Sequence, residues 1–163
     1  MTGAKSAVER AQLVVFRVGA DRYAADVYSV ERVLRFQQPR PIPNVPAWLV
    51  GVIGYGGRAV PVIDLRTRFD LPAATDTEHT RILIFTLETG LVAATVDCVD
   101  EIVTVDAAAL EEPPAIVHGL ARQYLRALLR RDDHLTVVLD IAQLLNSRER
   151  IVLNRAMAET THG

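Results

Sequence analysis

The chain has 163 residues, half of them hydrophobic, with 18 Lys and Arg against 20 Asp and Glu. That balance excludes the basic excess of a general nucleic-acid binder, and no apolar run approaches the roughly 20 residues of a membrane helix. A lone Cys98 excludes an internal disulfide framework and a multi-cysteine metal site, and residues 1–10 carry no apolar stretch of secretory type, so a soluble, cytoplasmic protein is expected.

Residues 1–11 read as a flexible N-terminus. Residues 13–18 (Leu-Val-Val-Phe-Arg-Val) form a β-branched run of strand length. Gly19 to Arg22 is a turn, and residues 23–27 return as the second arm of a hairpin. Pro39, Pro41, Pro43 and Pro46 break the chain before strands at 50–53 and 58–63. Gly56-Gly57 between those strands is a two-residue hairpin signal, because both central positions of such a turn need positive φ. Asp64 is an N-cap residue for a short helix over 64–69, and residues 70–80 are a polar, exposed connector. A second hairpin turns at Glu88-Thr89-Gly90 between strands at 82–87 and 91–96, and another strand follows at 99–105. Residues 120–131 have helical spacing (Leu125, Leu128, Leu129), and strand and helix both remain open there. A strand at 135–139 leads to a helix from Ile141 to about Ala158, with Asp140 just before it. Residues 158–163 read as a flexible tail. No helix of 10–15 residues separates consecutive strands as a parallel sheet requires, so the sequence is all-β and mostly antiparallel, plus one C-terminal helix.

An internal repeat organises these elements. Phe16 and Phe85 lie 69 positions apart, as do Val27 and Val96, Val30 and Val99, and Val33 and Ile102. Val62-Ile63-Asp64-Leu65 and Val138-Leu139-Asp140-Ile141 repeat at an offset of 76, so the second copy carries about seven inserted residues. Two similar small β units related by approximate symmetry follow, and barrels that hide most strand edges are the architecture that suits them.

Catalytic chemistry finds no foothold. His79, His118, His134 and His162 are scattered without metal-ligand spacing. Asp97, Asp100, Glu101 and Asp106 flank a strand rather than fill a calcium loop. Cys98 sits in an apolar strand as a structural residue. The glycines from Gly51 to Gly57 run into a strand, whereas a phosphate loop runs into a helix. No metal and no cofactor is expected, nor any enzyme activity.

The stretch Gly51-Val52-Ile53 to Gly57-Arg58-Ala59-Val60-Pro61-Val62-Ile63-Asp64-Leu65 resembles the signature hairpin of the CheW family, the coupling proteins of bacterial chemotaxis. The likeness extends along the chain: the opening hairpin, Val30-Glu31-Arg32-Val33, Ile42-Pro43-Asn44-Val45-Pro46, Val96-Asp97-Cys98-Val99 and Leu144-Leu145-Asn146-Ser147. The resemblance implies one CheW-like domain over 12–157, built from two SH3-like five-stranded β-barrels. It implies a non-enzymatic adaptor joining methyl-accepting chemoreceptor cytoplasmic tips to the regulatory domain of a CheA-type histidine kinase. Contact with the membrane would be indirect, through receptor arrays, and nucleic acid is not a partner. The free protein is expected to be a monomer that assembles into arrays.

By the same resemblance the partner-binding residues are Val30, Arg32, Val33, Gly51, Gly54, Tyr55, Gly56, Gly57 and Arg58. Val30 and Val33 would face a groove that takes a helical hairpin, and Gly51 would allow close backbone approach. The chain departs from the family pattern where Asn-Leu-Arg usually precedes the last glycine. It has Gly54-Tyr55-Gly56 instead, so Arg58 is the nearest cation on the hairpin. Arg32 stands where many relatives carry an acid. The alternative is a module of this fold that binds a kinase or another regulator without receptor contact, in a non-flagellar pathway. A basic stretch of Arg122, Arg126, Arg130 and Arg131 around Tyr124 reads as a solvated face or a second docking site.

Overall fold

A computed structural model describes residues 9–113 and 124–162. The first half supplies β1 (Arg10–Val18), β2 (Asp21–Asp26), β3 (Val30–Arg35), β4 (Leu49–Tyr55), β5 (Arg58–Ile63) and the short helix α1 (Leu65–Arg68). The second half supplies β6 (Arg81–Leu87), β7 (Gly90–Val96), β8 (Cys98–Asp106), β9 (Leu110–Glu111), β10 (Leu125–Arg131), β11 (His134–Leu139) and α2 (Ser147–His162). β1 and α2 both run past the boundaries 12 and 157 expected from the sequence.

The strands form two sheets, in the orders β8-β1-β2-β11-β10-β9 and β3-β6-β7-β5-β4. We call them the first and second barrel. The repeat is present in the pairing as well as in the residues. Val99 sits opposite Phe16 and Ile102 opposite Val14, just as Val30 sits opposite Phe85 and Val33 opposite Leu83. The register shifts fall at matching places, skipping Glu31 in β3 and Asp100 in β8, Val50 in β4 and Arg126 in β10. Such bulges add twist and let a strand bend round a barrel.

Neither barrel is one half of the sequence. Each opening hairpin is given to the other barrel: β1-β2 pairs with β8 and β11, and β6-β7 pairs with β3 and β5. The exchange changes what is buried. Leu13, Val15 and Ala24 point into the first barrel, and Ile82, Ile84 and Ala93 into the second. Their neighbours Phe16, Val18, Tyr23, Leu83, Phe85 and Val92 point the other way, into a core between the barrels. Both faces of these strands are therefore dry, which is why residues 13–18 and 82–87 read as apolar runs without polar alternation.

In neither sheet do the two outermost strands pair, and the chain itself crosses each seam. β8 turns through residues 107–109 into β9, which pairs with β10 and makes the first sheet six-stranded rather than five. In the second barrel the chain after β3 returns to β4 through one bridge. The Arg40 N–H donates to the Val52 carbonyl at 2.8 Å and the Val52 N–H to the Arg40 carbonyl at 2.9 Å.

One element left open by the sequence is settled as a strand, and one differs from the sequence reading. Residues 125–131 are a strand, with Leu125 packed in the core between the barrels and, past the bulge at Arg126, Ala127 and Leu129 facing into the first barrel; residues 120–123 lie outside the described residues. The expected helix from Ile141 splits into a 3₁₀ turn at Ile141–Gln143 and α2. The break is a capping box. The Glu149 N–H donates to Asn146 Oδ1 at 2.8 Å, and the Asn146 N–H to Glu149 Oε1 at 3.0 Å. α1 starts as expected, with Asp64 accepting from the N–H groups of Arg66 and Thr67.

Candidate partner-binding surface

All nine candidate residues lie on the second barrel, in β3 and the β4–β5 hairpin. Gly56 and Gly57 occupy the turn with φ of 58° and 77°, the left-handed values the hairpin needs. Tyr55 lies opposite Arg58 at the foot of that turn. Its ring packs against the residues inside the second barrel, and its hydroxyl reaches β3. There Arg32 Nε donates to Tyr55 Oη at 3.5 Å, and Tyr55 Oη donates to Glu31 Oε2 at 3.4 Å. The bond to Tyr55 raises the pKa of the Arg32 guanidinium and links it to the hairpin.

The candidates divide by exposure. Arg32, Gly54, Gly56, Gly57 and Arg58 are exposed, and Val33 is 40% exposed. Val30 instead packs against the core between the barrels. Gly51 is buried, and a Cβ there would sit 2.2 Å from the Arg40 carbonyl oxygen. Its close backbone approach is to the chain's own seam. A cleft of about 430 Å³ opens beside the hairpin, lined by Gln37, Gln38, Arg40, Gly54, Gly57 and Arg58 among others. Arg40 and the two glutamines were not singled out from the sequence. Only the antiparallel bridge at Val52 brings them there, and no local pattern announces it.

The basic stretch turns out differently. Arg122 lies outside the described residues and Tyr124 is buried. Arg126 pairs with Asp26 at 3.4 Å, Arg130 with Glu111 at 3.3 Å and Arg131 with Glu101 at 3.5 Å. These cations are answered within the first barrel, as a solvated, paired face. Asp97 is likewise engaged, accepting from Arg66 Nη2 at 2.5 Å and from the Gly19 N–H at 2.8 Å. Cys98 is half-buried; desolvation and then the bond to Asp100 push its thiol pKa up, which disfavours the thiolate a nucleophile needs. Among the described residues, no three His, Cys, Asp or Glu side chains converge in a metal-holding group, and no helix is long and apolar enough to cross a membrane.

A second polar group fastens α2. Arg68 donates to Glu149 Oε2 and, at 3.1 Å, to Tyr124 Oη, and its guanidinium lies 5.0 Å from the Trp48 ring centroid. Burial opposes the charge on Arg68, but the bonds to Glu149 and Tyr124 outweigh it, so its pKa is raised. The sequence signal available for this group was the Asn146–Glu149 capping spacing.

Comparison with known proteins agrees with this architecture. A family model described as "CheW-like domain" matches residues 12–149. The chain belongs to the CheW-like domain family. Proteins of this family are scaffolds rather than enzymes. The chain is 29% identical to the chemotaxis protein CheW of Treponema pallidum over 145 residues, covering 86% of this chain and 85% of that one. It is 30% identical to the chemotaxis protein CheW of Bacillus subtilis, covering 83% and 86%. The crystal structure of scaffolding protein TtCheW from Thermoanaerobacter tengcongensis has the same fold, with a TM-score of 0.80 at 23% identity, covering 91% of this chain and 96% of that one.

Proposed function

We propose that this CheW-like protein couples the cytoplasmic tips of methyl-accepting chemoreceptors to the regulatory domain of a CheA-type histidine kinase, as a cytoplasmic scaffold at membrane-associated arrays. The observation that supports this reading is the grouping of Arg32, Tyr55 and Arg58 at the β4–β5 hairpin, with the exposed Val33 on the other face of the same edge strand as Arg32. An edge strand that carries an exposed apolar side chain and polar groups is suited to docking a folded partner, where apolar area supplies affinity and charge supplies register. The Gly56-Gly57 turn carries no side chain beyond Cα, so contact there goes to its backbone and to Arg58. The free protein is a monomer in this reading, and assembly into arrays follows from partner contacts.

Calorimetric titration with the regulatory domain of the cognate kinase, then with a receptor-tip fragment, tests it. Micromolar binding to each, about −8 kcal/mol, is the expected result. Binding to the kinase domain alone would leave a module without receptor contact. No heat with either partner, from folded protein at several temperatures, would contradict the proposal.

A further inference from the structure

The two barrels answer their arginines in different ways. In the first, Arg10 pairs with Asp106, Arg17 and Arg22 with Asp100, Arg126 with Asp26, Arg130 with Glu111 and Arg131 with Glu101. The five strands of the second barrel carry Arg32, Arg35, Arg58 and Arg81 against one acid, Glu31. Arg81 donates to the carbonyls of Glu78 and Thr80, and Arg32 to Tyr55. Arg35, Arg40 and Arg58 are exposed and have no carboxylate within ion-pair distance among the described residues. Two of these unanswered cations, Arg40 and Arg58, line one cleft beside the hairpin and give it a positive field on a chain whose net charge is −2.

The cleft beside the hairpin has matching chemistry. Its polar side chains, those of Gln37, Gln38, Arg40 and Arg58, all offer N–H donors, and no carboxylate lines it. Guanidinium groups bind carboxylates through paired N–H donors, and glutamine amides add single bonds.

We propose that this cleft is a docking site for an acidic segment of a partner protein, with a Glu or Asp side chain seated between Arg40 and Arg58. The proposal rests on the partner-binding reading above for its choice of barrel, and adds the chemistry of what binds there. The half-buried Tyr55 opposite Arg58, and a cleft with two arginines, favour a protein partner over nucleic acid or an anionic membrane, which ask for a broader basic face.

The full chain, labelled with ¹⁵N, is titrated with an octaglutamate peptide. Amide shifts concentrated at residues 35–40 and 54–59 are expected, lost in 0.5 M NaCl (one Debye length there is about 4 Å) and in the Arg40→Glu/Arg58→Glu double variant. Shifts on the β10–β11 hairpin, or none, would overturn the proposal. So would a 20-base-pair duplex or phosphatidylglycerol vesicles producing the same shifts at lower concentration. Titration of the kinase regulatory domain at 50 and 300 mM NaCl separates the two readings. A loss of tenfold or more in affinity at the higher salt, matched by the double variant and not by Arg131→Glu, supports the acidic-segment site. Salt-independent kinase binding, unchanged in the double variant, overturns it and leaves the coupling function standing. Octaglutamate shifts at the cleft without kinase or receptor binding would retain the site and overturn that function. The double variant keeps the amide spectrum of a folded chain, because neither side chain makes a hydrogen bond or ion pair among the described residues.

Discussion

The two barrels are built alike and finished differently. Their strand orders correspond, their bulges fall at equivalent residues, and their opening hairpins are exchanged, so that Phe16 and Phe85 meet in one core. Beyond the core the correspondence ends. The turn at Asp132-Asp133 of the first barrel is answered by Gly56-Gly57 in the second, with Asp132 and Gly56 both in the left-handed region at φ of 52° and 58°. The left-handed first position is shared, but Gly57 at the second is also left-handed at φ of 77° where Asp133 is not, and the charge differs as well. The first barrel neutralises its arginines on its own carboxylates, and the second leaves two exposed cations, Arg40 and Arg58, lining a cleft. Where packing decides the residue the symmetry survives, and where only solvent decides it the barrels have been free to diverge toward different surfaces.

The largest effects test the shared core. Phe16→Ala and Phe85→Ala each remove a fully buried ring, and each should cost about 3–5 kcal/mol in urea unfolding. Because the sites are equivalent, the two values should agree within about 1 kcal/mol on that scale. A small loss at one and a large loss at the other would break the equivalence. Breaking the α2 fastening comes next. Glu149→Ala strips Arg68 of its carboxylate and the Asn146 N–H of its acceptor, for a loss of about 3 kcal/mol. A change below about 0.5 kcal/mol, the size of an exposed pair, would make this a surface bond only.

The seam distinguishes the barrels more finely. Gly51→Ala drives a Cβ onto the Arg40 carbonyl and should cost about 2–3 kcal/mol. The equivalent residue in β10 is Ala127, where the reverse change, Ala127→Gly, should cost about 1 kcal/mol. Equal costs would mean that the two seams are closed alike. The smallest effect appears on the pH axis. Burial pushes the Tyr23 hydroxyl up to about 12, above its usual 10, so the folded state holds the neutral form. Its contribution is intact below pH 10 and is lost as pH rises from 10 toward 12. Thermal unfolding over pH 8 to 11.5 should show a decline that starts near 10 and is flattened in Tyr23→Phe.

Much of this fold was legible because its determinants are local or repeated. The Gly56-Gly57 turn, the Asp64 cap and the 69-residue spacing of Phe16 and Phe85 each act within a few residues or at a constant interval. The exchange of hairpins was not legible, since either partner sheet buries the same apolar faces of β1 and β6. Helical spacing at Leu125, Leu128 and Leu129 left strand and helix open because a bulge beside Leu125 shifts a strand's alternation by one residue. The Asn146–Glu149 capping box was present in the sequence and would have divided the C-terminal helix. At the site, Arg32, Val33, Tyr55 and Arg58 came from the family likeness, and they share one barrel. Arg40 and Gln37 stayed hidden because their position depends on a single long-range bridge. The choice between a solvated face and a docking site for the basic stretch was hidden because its carboxylate partners, Asp26, Glu111 and Glu101, are remote in sequence.

Val33 and Ile102 are equivalent edge-strand residues, 40% and 62% exposed, so they offer a matched pair in which only the barrel differs. Affinity for a receptor-tip fragment should fall tenfold or more in Val33→Asp and change less than twofold in Ile102→Asp, with both variants as stable as the parent. Equal losses, or a greater loss at Ile102, would contradict the assignment of partner binding to the second barrel.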